Sequence, residues 1–232
     1  MDKYEIVSRI EEFAPLETQE PWDCSGWIVD AGLKHKNTHS NKSQVSKVMF
    51  ALTVTQDIVN QARKQNCDMI ISHHPLFCVP LEYSDINIYS AHTNFDIAQG
   101  GTTDILIEKL GFSKSQNQGF VRICKFEKPV MLETLKEKLL SISPNLRYVN
   151  NQNIKTIKSI AFCAGSGSEF IDKNDADAFV TGDVKFHAAI DSNQVVFDIG
   201  HFESEIFAPQ KLKEITMVGE KGVLAYEKSP FN

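Results

Sequence analysis

A short apolar run that ends in two adjacent imidazoles constrains this chain most. Met69-Ile70-Ile71 leads through Ser72 into His73-His74-Pro75. The run reads as a buried β-strand whose C-terminal end presents two imidazoles. A second apolar run, Val195-Val196-Phe197, precedes Gly200-His201-Phe202-Glu203-Ser204-Glu205, which puts His201 four residues before Glu205. Between them lies Ser90-Ala91-His92-Thr93-Asn94-Phe95-Asp96. Three histidine and carboxylate clusters at strand ends are what a metal-dependent hydrolase needs. Neutral imidazole with carboxylate suits divalent ions of intermediate hardness, and does not distinguish zinc, iron and manganese.

The rest of the chain predicts an α/β fold. Residues 3–13 form an opening helix, with Tyr4, Ile6, Val7, Ile10 and Phe13 at helical spacing and Pro15 as its stop. A polar segment over 34–46 reads as an exposed loop. Strand 48–52 is followed by Thr55, a helix N-cap. Strand 68–72, strand 86–91 and a helix over 102–111 continue the alternation, which is α/β logic. A strand–helix–strand unit over 118–150 places Leu132, Leu135, Leu139 and Leu140 on one helical face. Strand 158–163 then leads into Gly165-Ser166-Gly167 and a helix. Strand 177–181 precedes a helix over 183–190, and strand 194–198 precedes the final helical region. These elements predict two α/β lobes packed around one central cleft. All 232 residues form one functional unit, because both lobes contribute to the site.

With 232 residues, 42% of them hydrophobic, the chain can bury a core without metal or disulfide staples. Its formal net charge of −6 argues against a nucleic-acid surface. The five cysteines are odd in number and lack Cys-x-x-Cys spacing, which fits a reducing compartment. The first residues lack the basic-then-apolar pattern of a secretory signal, and no apolar stretch is long enough to span a membrane. A cytoplasmic location is expected.

Each cluster also has a structural reading. Neighbours on a strand point to opposite faces, so His73 and His74 serve one site only if the backbone leaves regular β geometry before Pro75. In an extended segment His92, Asn94 and Asp96 share a face. Asp96 is then a ligand candidate or a turn former, and His92 a ligand, a proton carrier or an orienting group. His201 and Glu205 meet on one face if the segment is helical, whereas Glu203 points elsewhere. Pro209 sits near a helix start or kinks it. Gly165-Ser166-Gly167 offers backbone N–H groups to a phosphate or is a plain turn. Lys185 holds a phosphate or is a surface lysine. Cys78, four residues after His74, is a ligand candidate or a free thiol; His35 and His39 belong to the polar loop.

Taken together, Trp22-Asp23-Cys24-Ser25-Gly26, the 68–77 strand with its double histidine, Ser90 to Asp96 with Gly100-Gly101 and Asp104, Thr181-Gly182-Asp183-Val184-Lys185-Phe186-His187, and His201 to Glu205 resemble the Nif-three family. Many of its members are labelled GTP cyclohydrolase 1 type 2 or its homologues. The resemblance runs from about residue 4 to 228 and fits the short form without a middle insertion. It implies a two-lobed α/β fold, a ring-shaped homohexamer and a dinuclear metal site. The ligands of that site would be His73, His74, Asp96, His201 and Glu205. On the reading of the residues themselves, His92 is the candidate for proton transfer and Lys185 a candidate substrate contact. The chain departs from the family pattern at Cys24, Trp27 and Asp30, where Asn, Leu and Gly are commoner.

The expected activity is a dinuclear-metal hydrolase resembling GTP cyclohydrolase 1 type 2, converting GTP and water to dihydroneopterin triphosphate and formate. A metal-dependent phosphohydrolase, or a metal-binding scaffold with little turnover, is the alternative. The expected partners are two divalent ions, a nucleotide or phosphate substrate, and further copies of the chain.

Overall fold

A computed structural model describes residues 1–31, 43–112 and 115–231. The polar loop, with His35 and His39, falls mostly outside the described residues. Among those described, the strands are β1 (Gly26–Val29), β2 (Val48–Thr53), β3 (Met69–His74), β4 (Asn87–Ser90), β5 (Ser115–Gln118), β6 (Val121–Met131), β7 (Arg147–Val149), β8 (Thr156–Ser166), β9 (Ala178–Gly182), β10 (Val195–Asp198) and β11 (Gly222–Leu224). The chain divides into two compact units. One comprises Met1–Ala98 and Ala208–Lys228; the other comprises Gln99–Phe207 with the C-terminal residues from Ser229.

The first unit carries a sheet of order β1-β4-β3-β2-β11. Strands β11, β2, β3 and β4 are parallel, and β1 runs antiparallel to β4. Both faces of the parallel part are covered, which is why Met49-Phe50-Ala51 and Met69-Ile70-Ile71 are wholly inaccessible rather than alternating. The helix Gln56–Lys64 supplies one cover. Thr55 Oγ1 accepts the Ile58 N–H at 3.3 Å, and Ile58, Val59 and Ala62 are buried. The opening helix, Lys3–Phe13, is capped by Asp2, which accepts from Tyr4 and Glu5 N–H groups, and Pro15 lies just beyond its end. Its buried face differs from expectation. Tyr4 is exposed, whereas Lys3 is buried and its ammonium reaches Asp30 at 2.6 Å and Asn87 at 2.8 Å. A buried charge is tolerated only with such partners.

The second unit carries a sheet of order β5-β6-β8-β9-β10-β7. β8, β9 and β10 are parallel; the others join antiparallel. Its main core packs Leu106, Leu135, Leu139, Ile160, Phe162, Val180 and Phe197. In the helix Leu132–Leu140, Leu132, Leu135 and Leu139 are buried and Leu140 is not. Two expectations are corrected. After β8 the chain makes a 3-10 turn, Ser168–Phe170, rather than a helix. The helix expected over 183–190 is only Phe186–Asp191, because Asp183 adopts φ +51° and its neighbour Val184 donates its N–H to Asp198. A left-handed residue cannot continue a right-handed helix.

Candidate metal centre

In the first unit the donors stand at the C-terminal edge of the parallel strands, where α/β sheets place their ligand sites. His73 and His74 end β3, and His92 follows β4 by two residues. The two imidazoles on successive residues are each tied to a different neighbouring strand. His73 Nδ1 donates to the Ala91 carbonyl oxygen at 2.8 Å, beyond the end of β4. His74 Nδ1 meets Thr53 Oγ1 at 2.6 Å, and Thr53 is its register partner on β2. Their ring centroids are 4.9 Å apart. His92 lies 5.2 Å from His73 and 5.6 Å from His74, centroid to centroid. One nitrogen from each of the three rings falls within 4.8 Å of the others, so His92 stands in the donor cluster.

The expectation that His92, Asn94 and Asp96 share a face of an extended segment is wrong. Residues Thr93–Ile97 form a short helix with His92 at its N-cap position. His92 and Asp96 are therefore related by a helical turn. Asp96 Oδ1 lies 3.4 Å from His73 Nε2. Asn94 has turned into structure: it is inaccessible, donates to the Ala14 carbonyl oxygen at 2.7 Å, and accepts the His92 N–H at 3.0 Å.

Asp23 is a positioning residue to which its place in the sequence assigns no role. Its carboxylate accepts from His92 Nδ1 at 3.0 Å, and also from Thr93 and Ser25 hydroxyls. Burial alone would raise its pKa, but the hydrogen bonds from Thr93 and His92 and the nearby imidazole hold it down at about 2. It is a carboxylate throughout the neutral range, so His92 Nδ1 carries the proton and Nε2 the lone pair.

In the second unit Gly165 lies near the C-terminal end of β8, and Asp183 and His201 follow the C-terminal ends of the parallel strands β9 and β10. His201–Glu205 is a short helix, as the spacing predicts, with His201 Nε2 3.0 Å from Glu205 Oε2. Pro209 falls in the first turn of the next helix, Ala208–Thr216, where its missing N–H costs nothing. Glu205 is buried. Glu203 instead lines a cavity of about 270 Å³ with Asp183, His201 and Arg147. His201 Nδ1 is held by Asp183 at 2.6 Å, a second carboxylate whose role no local spacing announces.

Glycine makes room for these donors. At Gly165, φ +69°, a Cβ would run into the Glu205 carboxylate. At Gly182 a Cβ would lie 2.6 Å from the backbone nitrogen of His201. The phosphate-cradle reading of the 165–167 loop does not hold: Gly165 N–H donates to Ser204 Oγ at 2.9 Å and Gly167 N–H to Thr181 Oγ1 at 2.8 Å. Lys185 is exposed and its N–H donates to Ser168 Oγ. Cys78 is exposed and outside the donor clusters found among the described residues.

The donor chemistry fits divalent ions. His73, His92 and His201 each present Nδ1 to an oxygen acceptor, which leaves Nε2 to bind in the neutral ring. Without an ion, His201 is a cation near neutrality. Burial pulls its pKa down, but Glu205 and Asp183 outweigh that and raise it to about 9. Two opposite pH trends follow. The metal-free ion pairs stabilise the fold fully below the unfolded value of about 6.5 and lose that contribution as pH rises through about 9. Metal binding at His201 would displace its proton, so apparent affinity is expected to fall roughly tenfold per pH unit on acidification below about 9. Zinc titrations of the apo-protein between pH 6 and 8 check this; pH-independent affinity would show that His201 is not a ligand.

Two parallel-sheet α/β units carrying imidazole and carboxylate donors at strand ends define a class of metal-binding α/β protein. The chain matches the DUF34/NIF3 (NGG1p interacting factor 3) family over residues 1–221, and belongs to it. It is 32% identical to a "GTP cyclohydrolase 1 type 2 homolog" of Clostridium perfringens over 90% of each chain. It is also 32% identical to one of Campylobacter jejuni, over 98% of this chain and 97% of the other. Among solved structures, reduced HcgD from Methanocaldococcus jannaschii superposes with a TM-score of 0.77 at 25% identity, covering 97% of this chain and 96% of that one. A protein from Thermus thermophilus superposes with a TM-score of 0.83 at 22% identity, covering 99% and 100%. Among the described residues no helix is long and apolar enough to cross a membrane.

Proposed function

We propose that this chain is a metal-dependent hydrolase of the GTP cyclohydrolase 1 type 2 kind, in which His73, His74, Asp96, His201 and Glu205 hold two divalent ions. The observation that carries the reading is the orientation of the imidazoles: His73 and His201 have Nδ1 bound to an oxygen acceptor and so keep the Nε2 lone pair for an ion, and His92, held the same way, keeps its Nε2 for a proton. Relatives that bear the cyclohydrolase name at about a third identity support the same reading. Such ions supply Lewis acidity and lower the pKa of water toward neutrality.

In the cyclohydrolase reaction water adds at C8 of guanine, the imidazole ring opens, formate leaves, and the remainder rearranges to dihydroneopterin triphosphate. His92 is the group we assign to proton movement. Asp23 keeps its Nδ1 protonated, so Nε2 accepts a proton from water and returns it to the departing nitrogen. Asp23 then stabilises the imidazolium that forms. The remaining pairs, Thr53 with His74 and Asp183 with His201, hold rings in place.

The test incubates metal-loaded protein with GTP and assays formate and phosphate separately. Formate release that is lost on chelation and in Asp96→Ala is expected. Phosphate release without formate would redirect the assignment to a phosphohydrolase, and formate release untouched by either treatment would trace it to a contaminant.

A further inference from the structure

The chain has two tryptophans, and they are used differently. Trp27 packs edge-on against Tyr4 and Tyr89, each at 5.6 Å between centroids, with the Lys3 ammonium 5.4 Å from its ring. Trp22 is 61% exposed. Its one ring contact among the described residues is with His92, at 6.0 Å and 77°. His92 in turn stands in the cluster with His73 and His74. The indole is therefore the solvent-facing wall of the imidazole cluster.

The segment that carries Trp22 is rigid. Asp23 N–H donates to the Glu20 carbonyl oxygen at 2.9 Å, closing a β-turn with Pro21 and Trp22 at its corners. Glu20 N–H is tied to Thr93 Oγ1 at 2.9 Å. On the other side the Asp23 carboxylate accepts from Cys24 N–H, Ser25 Oγ, His92 Nδ1, Thr93 N–H and Thr93 Oγ1. Neither the turn nor the core needs an indole at this corner, since Trp22 is largely exposed and does not adopt a positive φ. What the indole contributes is a fixed, amphipathic aromatic surface at low entropy cost, beside the imidazoles.

We propose that Trp22 is the binding platform for a planar aromatic ring of the substrate, a nucleobase or related heterocycle, which it presents to the His73–His74–His92 cluster. This rests on the reading of that cluster as part of the metal centre. Stacking on one aromatic side chain strengthens binding of a base by roughly 5- to 150-fold and tolerates many ring types, because every base has a π-face. Asp23 and Trp22, adjacent in the chain, then divide the work: one sets the His92 tautomer and the other places the ring against it.

The test uses zinc-loaded full chain with three probes: GTP, guanosine, and inorganic tripolyphosphate, which has no ring. Trp22→Ala is expected to weaken GTP and guanosine binding by roughly 5- to 150-fold in calorimetry, with zinc content and tripolyphosphate affinity unchanged. Trp22→Phe should recover most of the loss. In the Trp27→Phe protein, emission from Trp22 should change on adding guanosine and not on adding tripolyphosphate. The inference is overturned if Trp22→Ala binds GTP as the wild type does, or loses tripolyphosphate to the same extent. It is equally overturned if Trp22 emission ignores every ring-bearing probe, as it would beneath a second copy of the chain. Failure of the metal reading shows separately, as wild-type protein that takes up no zinc, and guanosine binding still decides the role of Trp22.

Discussion

Alanine at Gly182 is expected to destabilise the protein by roughly 1–3 kcal/mol or more and to strip the site of His201. The added Cβ would lie 2.6 Å from His201 N, 2.7 Å from its Cα and 2.8 Å from the Gly200 carbonyl carbon. All three are backbone atoms at the start of the His201–Glu205 helix, so no side-chain rotation relieves the overlap. The backbone must shift, and His201 shifts with it. Gly119→Ala is the control. Its φ of +67° makes alanine strained there too, but nothing lies within 4 Å of the new Cβ. That change should cost about 1 kcal/mol, the usual penalty of a left-handed non-glycine residue, and leave metal uptake intact. Denaturant melts and zinc uptake of the two variants separate the effects; equal stability and equal uptake would show that His201 is not held by this close approach.

The second large effect is expected at Glu205. Glu205→Gln removes a buried carboxylate 3.0 Å from His201 Nε2, and with it a charged member of the proposed ligand set. Metal affinity should fall by well over the roughly 10- to 100-fold typical of losing a supporting group. Glu203→Gln, two residues earlier, changes a carboxylate that faces the cavity with Arg147 and should leave affinity within a few-fold. In Glu205→Gln the His201 imidazolium loses the Glu205 carboxylate that helps raise its pKa, so that pKa should come down as well. Competition titrations with a chromophoric chelator measure both variants. Equal losses would mean that the one-turn offset from His201 does not select the ligand.

Much of this was legible in the chain because the relevant signals are local. Continuous apolar runs at 48–52, 69–71 and 195–197 announce strands buried on both faces, and all three are found in the parallel parts of the two sheets. The four-residue offset of His201 and Glu205 announces one helical face. What failed was of two kinds. Period-2 and helical spacings compete over a segment as short as 92–96, and there the helix won: Asn94 spans its start by accepting the His92 N–H, and its amide is anchored at Ala14. The groups that orient the imidazoles were illegible because they come from distant positions. Asp23 reaches His92 across 69 positions, and Thr53 reaches His74 across 21. Only the pairing of strands and the packing of a turn bring them together. The same holds for Gly165 and Gly182, whose need for a missing side chain is visible only beside Glu205 and His201.

The most direct test of the account is the metal stoichiometry of the purified, zinc-reconstituted chain, set beside that of His74→Ala. The five proposed ligands exceed the four-coordinate set usual for one ion, so the wild type should carry about two ions per chain. His74→Ala should carry fewer while keeping its circular dichroism and cooperative melt, because the apolar cores of both units close without metal. A wild-type chain that takes up no zinc at neutral pH, or a His74→Ala chain that retains the full complement, would contradict it.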